Sequence, residues 1–455
     1  MRTFVMVLSL VLCPLAWSTS LMDLYQEVLA FDPRLQQADA ERDIYGARER
    51  YSRGGLLPQV SFSAQGTRNK REPIEGQNQD ADYYYGERYS LALRQSLYNK
   101  AQWESFRAAR RYAEQYEARY EDMEAAVTVD LVERYTQVLA AEDNLSFVVS
   151  EREAAELQLR QIRARYDRQM AMVTDLYEVE ARVDRLLTEE LQARNDVELA
   201  REGMAEMLGR SLEEDLAPLL AHPPVDDALQ PLEEWLQVGL SNNHGLAAAR
   251  SAVAAATAGV REARGGRHPT LDLQLSAQRT DIGYENAPAP ESEYYVASLN
   301  LNMPIFSGGQ VSAQVSESRA QLRMAEQQLT EQERRIRKEI REAYLTTRTA
   351  TMRVSATRKA MSSAEKSYEA RQRGLEYGTV TVVDVLDAAE QLFMARRDHR
   401  QAYYDLMVHS LRLQQTAGML TPDNVAQLDR WLDTSSYPDN SWKPEEPPEP
   451  EISEE

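Results

Sequence analysis

Two hydrophobic periodicities alternate along this chain, and the alternation occurs twice. From Leu21 to about Arg53 the apolar residues Leu24, Val28, Leu35 and Ala38 fall three, four and seven apart, the spacing of a helix with one buried stripe, with Asp32-Pro33 marking a local break. After Gly54-Gly55 and Pro58 the period drops to two. Val60, Phe62 and Ala64 alternate with Ser61, Ser63 and Gln65, which predicts a strand. A polar segment, Asn69 to Asp82, leads to a return strand in which Tyr89, Leu91 and Leu93 alternate with Ser90, Ala92 and Arg94, ending near Asn99. Lys100 to Arg168 then contains neither Gly nor Pro, and a helix of that length runs about 100 Å at roughly 1.5 Å per residue. Its stripe of Met123, Val127, Leu131, Val138 and Leu145 has the heptad-like spacing of a helix packed on other helices. A short turn around Gln169 to Val173 reverses the chain into a second helix, Thr174 to Leu208.

The same succession returns about 210 residues later. Arg53-Gly54-Gly55-Leu56-Leu57-Pro58 corresponds to Arg264-Gly265-Gly266-Arg267-His268-Pro269, Leu35 to Leu246, Leu97-Tyr98 to Ile305-Phe306, Glu133 and Tyr135 to Glu342 and Tyr344, and Asp175 to Asp384. The second pair of strands alternates more clearly: Leu271, Leu273, Leu275 and Ala277 against Asp272, Gln274, Ser276 and Gln278, then Ala297, Leu299, Leu301 and Met303 against Ser298, Asn300 and Asn302. The second long helix is expected over Gln310 to Arg373, its turn over Gly374 to Val380, and the returning helix over Thr381 to Thr416. The chain therefore divides into a first repeat, 21–228, with a strand hairpin at 58–99 and a helical hairpin at 100–208, and a second repeat, 229–418, with a strand hairpin at 269–307 and a helical hairpin at 309–417. A C-terminal segment, 419–455, follows. A period this long holds several elements, so the repeat is not that of a solenoid.

Charge and termini narrow the reading. Lys+Arg 52 against Asp+Glu 73 gives the 455-residue chain a net charge of −21, which argues against nucleic acid as a partner. Part of the acidity lies in Lys443 to Glu455, a Pro- and Glu-rich tail that cannot bury a core and is expected to be disordered. Residues 1–20 form a secretory signal: Arg2, an apolar run from Phe4 to Leu12, and small residues at Ala16, Ser18 and Ser20, so that cleavage after Ser18 or Ser20 fits. The chain's one cysteine, Cys13, lies in that signal behind Leu12, a residue too large for a usual lipid-attachment site; the mature chain is expected to hold no disulfide and no thiolate metal site. No later run reaches the roughly 20 apolar residues of a spanning helix, so a membrane would be crossed by strands.

The four strands have a simple reading as hairpins packed on a core with one face in solvent. Three features favour a membrane barrel instead: strands that reach the roughly 9 to 11 residues needed to cross, tyrosines near their ends (Tyr83, Tyr84, Tyr85, Tyr294, Tyr295), and the secretory signal. Four strands cannot close a barrel, so several chains are required.

Thr174-Asp175 and Thr381-Val382-Val383-Asp384 place capping-type residues at the starts of the two shorter helices, and capping is the simplest role for both aspartates. Asp384 and Asp387 add a second possibility. Their i, i+3 spacing puts two carboxylates on one helix face, to which Val383, Val385 and Leu386 leave the polar side. Around an axis they would stack as negative rings that concentrate cations or bind them through oxygen; in a lone chain they are a solvated face. The equivalent of Asp387 in the first copy is Glu178. An enzyme is disfavoured: the five histidines, His222, His244, His268, His399 and His409, are scattered without metal-ligand spacing, and neither a phosphate-cradling loop nor a nucleophile elbow is present.

These residues resemble the TolC family of outer-membrane efflux and secretion channels, over the mature chain up to about residue 420. The resemblance rests on the duplicated Gly-Gly-x-x-Pro strand entries, Tyr135-x-x-Val138-Leu139, Pro304-Ile305-Phe306-Ser307-Gly308-Gly309 and Thr381-Val382-Val383-Asp384-Val385-Leu386-Asp387-Ala388. It implies an α+β membrane fold: a homotrimer whose chains each supply four strands to a 12-stranded β-barrel in outer-membrane lipid, with long antiparallel helical hairpins forming a periplasmic tunnel. It implies an exit duct for tripartite efflux pumps or type I secretion in a Gram-negative outer membrane, opened by a periplasmic adaptor (membrane-fusion) protein and an inner-membrane pump of RND or ABC type. It implies no catalytic residue, no cofactor and no resident metal. Asp384 and Asp387 match the family's ring at the periplasmic entrance, Thr174 and Asp175 the neighbouring turn that helps close it, and Tyr377-Gly378-Thr379 the adaptor-docking tip. The chain departs from the family at Arg168-Gln169-Met170, which lacks the usual tip glycine, at Leu375 in place of a gate tyrosine, and at Val380 in place of a gate arginine. The acidic ring is thus retained while part of the hydrogen-bonded latch is lost, and the second copy is expected to carry most of the selectivity. The alternative is a secreted structural coiled-coil protein without channel activity, which leaves the alternating strands unexplained.

Overall fold

The computed structural model describes residues 19–71, 82–221, 223–224, 229–281 and 290–433. Residues 1–18 of the signal with Cys13, His222, and the tail Lys443 to Glu455 lie outside the described residues. Thirteen elements follow in order: α1 (Leu21–Phe31), α2 (Pro33–Gly54), β1 (Gln59–Arg71), β2 (Asp82–Asn99), α3 (Lys100–Asp167), α4 (Val173–Leu208), α5 (Leu232–Asn242), α6 (His244–Gly265), β3 (Thr270–Thr280), β4 (Ser292–Asn302), α7 (Gln310–Glu376), α8 (Val382–Thr416) and α9 (Pro422–Asp429). No described helix is long and apolar enough to cross a membrane. α7 runs past the expected stop at Arg373, because Gly374 stays helical and the chain turns at Gly378, whose φ is 68°.

These elements form two compact units, and each unit draws on both copies of the repeat. The first comprises residues 37–122 and 244–335 and holds the sheet. Its strands pair antiparallel in the order β1-β2-β3-β4, so the two copies join through β2 and β3. Register aligns the alternation of all four strands. Val60, Leu93, Leu275 and Ala297 form one row and Phe62, Leu91, Ala277 and Tyr295 the next, on one face. The other face carries Ser61, Ser63, Ser90, Gln274 and Asn300, with Ser63 and Ser90 hydroxyls 2.8 Å apart and Arg94 3.5 Å from Asp272. The apolar face is bare: Phe62 is 67% and Leu301 70% exposed. β1 and β4 each pair along one edge only.

The second unit comprises, among the described residues, 19–36, those of 123–243 and 336–433, and contains the largest core. Here the resemblance motif is interior: Tyr135, Val138 and Leu139 are buried, and the Tyr135 hydroxyl donates to the Ala217 carbonyl at 3.0 Å. The connector between copies is held on both sides, by a bridge from Leu216 to Thr19, which cleavage after Ser18 keeps and cleavage after Ser20 removes, and another from Leu219 to Leu432. Arg400 donates to the Leu219 and Leu220 carbonyls while meeting Asp143, which also accepts from the Tyr404 hydroxyl at 2.6 Å. Both copies break their first helical stretch at the same place. Asp32 (φ −61°, ψ 122°) and Asn243 (φ −58°, ψ 124°) are buried kinks, and each backbone N–H still closes the preceding helix, on Val28 and Gly239.

The duplicated glycines differ in purpose. A Cβ on Gly265 would lie 2.6 Å from the Ala101 nitrogen and 2.7 Å from its Cα, whereas one on Gly54 would meet nothing within 4 Å. Gly265→Ala is therefore expected to destabilise the protein by about 1–3 kcal/mol through overpacking against backbone that cannot yield, while Gly54→Ala is neutral or slightly stabilising. Thermal unfolding of the two variants checks this, and equal midpoints would contradict it.

Candidate functional site

The two helical hairpins turn with the same hydrogen-bond pattern. At the end of α7, Gly378 N–H donates to the Leu375 carbonyl and Thr379 N–H to that of Gly374, at 3.1 and 2.8 Å. At the end of α3, Gln169 N–H donates to Tyr166 and Met170 N–H to Arg165, both at 2.8 Å. This closure requires a left-handed residue at the corner. Gly378 supplies it with φ 68°, and Gln169 adopts φ 58° although it carries a side chain. The missing first-copy glycine thus leaves the turn type unchanged and adds backbone strain of about 1–2 kcal/mol. Of the expected tip residues, Tyr377 is 82% exposed, while the Thr379 hydroxyl turns back onto the Gly374 carbonyl at 3.0 Å. The first-copy turn exposes Met170 and Met172, of which the sequence marked Met170 only as part of the missing-glycine tip.

The start of α8 is fixed by a reciprocal cap. Thr381 Oγ1 accepts from Asp384 N–H at 3.2 Å, and Asp384 Oδ2 accepts from Thr381 N–H at 2.8 Å and from its hydroxyl at 2.6 Å. The hydroxyl bond, then the backbone bond, hold the Asp384 carboxyl below the ordinary carboxylate range. Val382, Val385 and Leu386 are buried beneath, and Asp387 points outward, half exposed. The start of α4 differs. Its N-cap is Met172, without a side-chain cap bond, so Thr174 and Asp175 do not cap the helix: α4 begins one residue earlier than the sequence predicts. Among the described residues, the Thr174 hydroxyl donates to Asp175, at 3.3 Å. Among the described residues, no bond joins Thr174 or Asp175 to Asp384 or Asp387.

What reaches the acidic pair is Arg182, on the next turns of α4. Its side chain, 12% exposed, meets Asp387 at 3.1 Å, Glu151 of α3 at 3.4 Å and Glu390 of α8, and donates to the Leu386 carbonyl at 3.3 Å. One guanidinium therefore binds three helices. Burial pushes the Glu151 carboxyl upward, and the Arg182 charge opposes that shift. Beneath this polar knot lies a small core of Leu176, Val179, Leu186, Val382 and Leu386, with Leu375 packed against it. Leu375, where the family resemblance implies a gate tyrosine, packs on this core.

An antiparallel sheet with one greasy and one polar face, joined to duplicated helical hairpins with an acidic turn, defines a chain of the outer-membrane channel class. The chain belongs to the outer membrane efflux protein family, whose pattern matches residues 24–210 and 235–419. It is 28% identical over 439 residues to the outer membrane protein TolC of Escherichia coli (strain K12), covering 94% of this chain and 88% of that protein. To the proteases secretion protein PrtF of Dickeya chrysanthemi it is 25% identical over 430 residues, covering 92% of each. The crystal structure of the CmeC outer membrane channel of Campylobacter jejuni shares the fold, with a TM-score of 0.75 at 16% identity over 91% of this chain and 90% of that one.

The second-copy turn offers a direct test of the corner geometry. A Cβ on Gly378 would meet nothing within 4 Å, so Gly378→Ala is expected to cost only backbone strain, about 1–2 kcal/mol. Hydrogen exchange at the Gly378 and Thr379 amides should quicken accordingly, and unchanged exchange would show that the corner is not held left-handed.

Proposed function

We propose that three copies of this chain close one 12-stranded barrel through their β1 and β4 edges, and that the assembly is the exit duct of a tripartite efflux pump or type I secretion system. The observation that carries this reading is the four-stranded sheet, whose rows of apolar residues lie bare on one face while polar residues line the other and both outer edges stay open. Lipid outside and water inside suit those faces. Membership of the efflux family and likeness to a protein named for protease secretion support the role. A periplasmic adaptor and an inner-membrane pump are the partners such a duct needs, and this chain supplies neither energy nor chemistry. The exposed Tyr377 with Gly378 and Thr379 is the docking tip for the adaptor.

In this reading Asp384 and Asp387 of three chains form the entrance ring, with unequal parts. Asp384 is committed to its cap, and Asp387 shares Arg182 with Glu390 and Glu151. Arg182 fastens α8 to α3 and α4, taking over within the chain the role lost at Leu375 and Val380. Thr174 and Asp175, unengaged by α8 of their own chain, close the entrance against the neighbouring one.

Two variants in planar bilayers test this. Asp384→Asn with Asp387→Asn is expected to lower cation selectivity and block by divalent cations; selectivity equal to that of the unaltered channel contradicts the ring. Arg182→Ala strands Glu151 without its cation, at a cost of about 3 kcal/mol, and is expected to raise conductance by freeing α8. Because burial raises the Glu151 pKa, protonation favours the folded form, so the defect should shrink as pH falls from neutrality through that raised pKa and grow again above it. Unchanged conductance at neutral pH would remove Arg182 from the closing apparatus.

A further inference from the structure

Just beyond the strand ends, the sheet-bearing unit carries an excess of arginine that the channel reading does not use. Arg107, Arg110 and Arg111 of α3 and Arg261 of α6 line a cavity of about 270 Å³, floored by Ala258. Their side chains are 56%, 64%, 51% and 47% exposed. Among the described residues, two carboxylates pair with them. Glu104, fully buried, is shared by Lys100, Arg107 at 3.1 Å and Arg261 at 3.1 Å, and Glu114 is shared by Arg110 and Arg111. Five cations thus face two carboxylates, in a chain whose net charge is −21. Like charges are not gathered around a cavity without cost, and an anion placed there would remove it.

Location says which anion. Arg107 lies eight residues beyond Asn99, where β2 becomes α3, and Arg261 nine residues before Thr270, where β3 begins. Eight to twelve helical residues, from Asn99 to Arg111, rise about 12–18 Å at roughly 1.5 Å each, below the roughly 5–8 Å headgroup layer flanking the hydrocarbon, toward which long guanidinium side chains extend. Between the apolar rows of the sheet and this cavity stand exposed apolar residues at three of the strand ends. Ile305 and Phe306 after β4 are 87% and 88% exposed, Leu57 before β1 52%, and Tyr98 at the end of β2 42%. An apolar and aromatic belt followed by arginines is the arrangement of a protein surface crossing from acyl chains to phosphates.

We infer that this arginine cavity is a binding site for the phosphate of an anionic phospholipid in the periplasmic leaflet, with the belt at Leu57, Tyr98, Ile305 and Phe306 seated at the acyl boundary. The site rests on the reading of the sheet as membrane-spanning. It makes insertion sensitive to lipid charge and fixes the depth at which the helices leave the bilayer.

The test separates the two readings. The full-length protein is reconstituted into vesicles of phosphatidylcholine alone or with added phosphatidylglycerol, and lipids retained on the solubilised protein are counted by native mass spectrometry. Arg110→Gln with Arg111→Gln spares the partners of buried Glu104, so the fold is left intact; Arg110→Lys with Arg111→Lys keeps the charge. Unaltered protein and the lysine variant should retain phosphatidylglycerol preferentially. The glutamine variant should lose about 30-fold of that preference, from about five-fold per surface cation. Conductance in planar bilayers should persist in all three. Conducting protein without lipid preference, or a glutamine variant that keeps it, overturns the lipid site alone. Occupancy matched by inorganic phosphate at equal concentration would make it a free-anion site and also overturns the inference. Failure of every variant, including the unaltered protein, to insert overturns the membrane reading beneath it.

Discussion

Backbone N–H and C=O groups at a sheet edge have no water to turn to in hydrocarbon, and each one left unpaired costs several kcal/mol. β1 and β4 present such edges along 13 and 11 residues, while the face between them is covered with Val, Leu and Phe side chains suited to lipid. The chain therefore carries an obligation that it cannot discharge alone. Closure with other copies satisfies both edges at once, and the duplication supports that closure. Each copy brings one hairpin, and β2 and β3 join them into a four-stranded segment, which is the repeating unit of the proposed barrel.

Once the sheet is a barrel wall, the remaining features take directional meaning. In the proposed channel, the arginines at the strand–helix junctions would meet lipid phosphates and the carboxylates at the helical turns an aqueous entrance. The two copies differ at their turns. Asp384 caps its helix through Thr381, while α4 starts on Met172 with no side-chain cap. Gly378 and Gln169 reach the same left-handed corner, one without strain and one with it. The first copy compensates with Arg182, which ties the less regular turn to the acids of the second.

Much of the fold was legible because its signals are local. Strand alternation, the Gly- and Pro-free helices and Asp32-Pro33 each announce themselves within a few residues. What was hidden depends on distance or on a rarely used conformation. Arg182 lies 205 residues from Asp387, and nothing in its neighbourhood marks it apart from other helix arginines. The kink at Asn243 repeats that at Asp32, but no proline follows it. A left-handed glutamine is rare enough that Arg168-Gln169-Met170 read as a departure from the family's glycine tip, although the turn's hydrogen bonds are present. The pairing of β2 with β3 follows from no local pattern, since either strand edge would accept a partner. Asp384 and Asp387 were readable as a pair on one face, but their division between a cap and an ion pair depends on where α4 lies.

The central claim is that β1 of one chain pairs with β4 of another. Within a chain, β2 and β3 separate these strands, three spacings of about 4.8 Å each, well beyond the roughly 7 Å limit for a disulfide. Because the sole cysteine lies at position 13 in the signal, cysteines introduced near Phe62 on β1 and scanned along Tyr295 to Leu299 on β4 report on this contact without interference. Oxidised outer membranes should yield covalent dimers and trimers and nothing larger, at one register of the scan. Absence of cross-linking at every register, or a ladder that continues past three chains, would contradict a closed trimeric barrel.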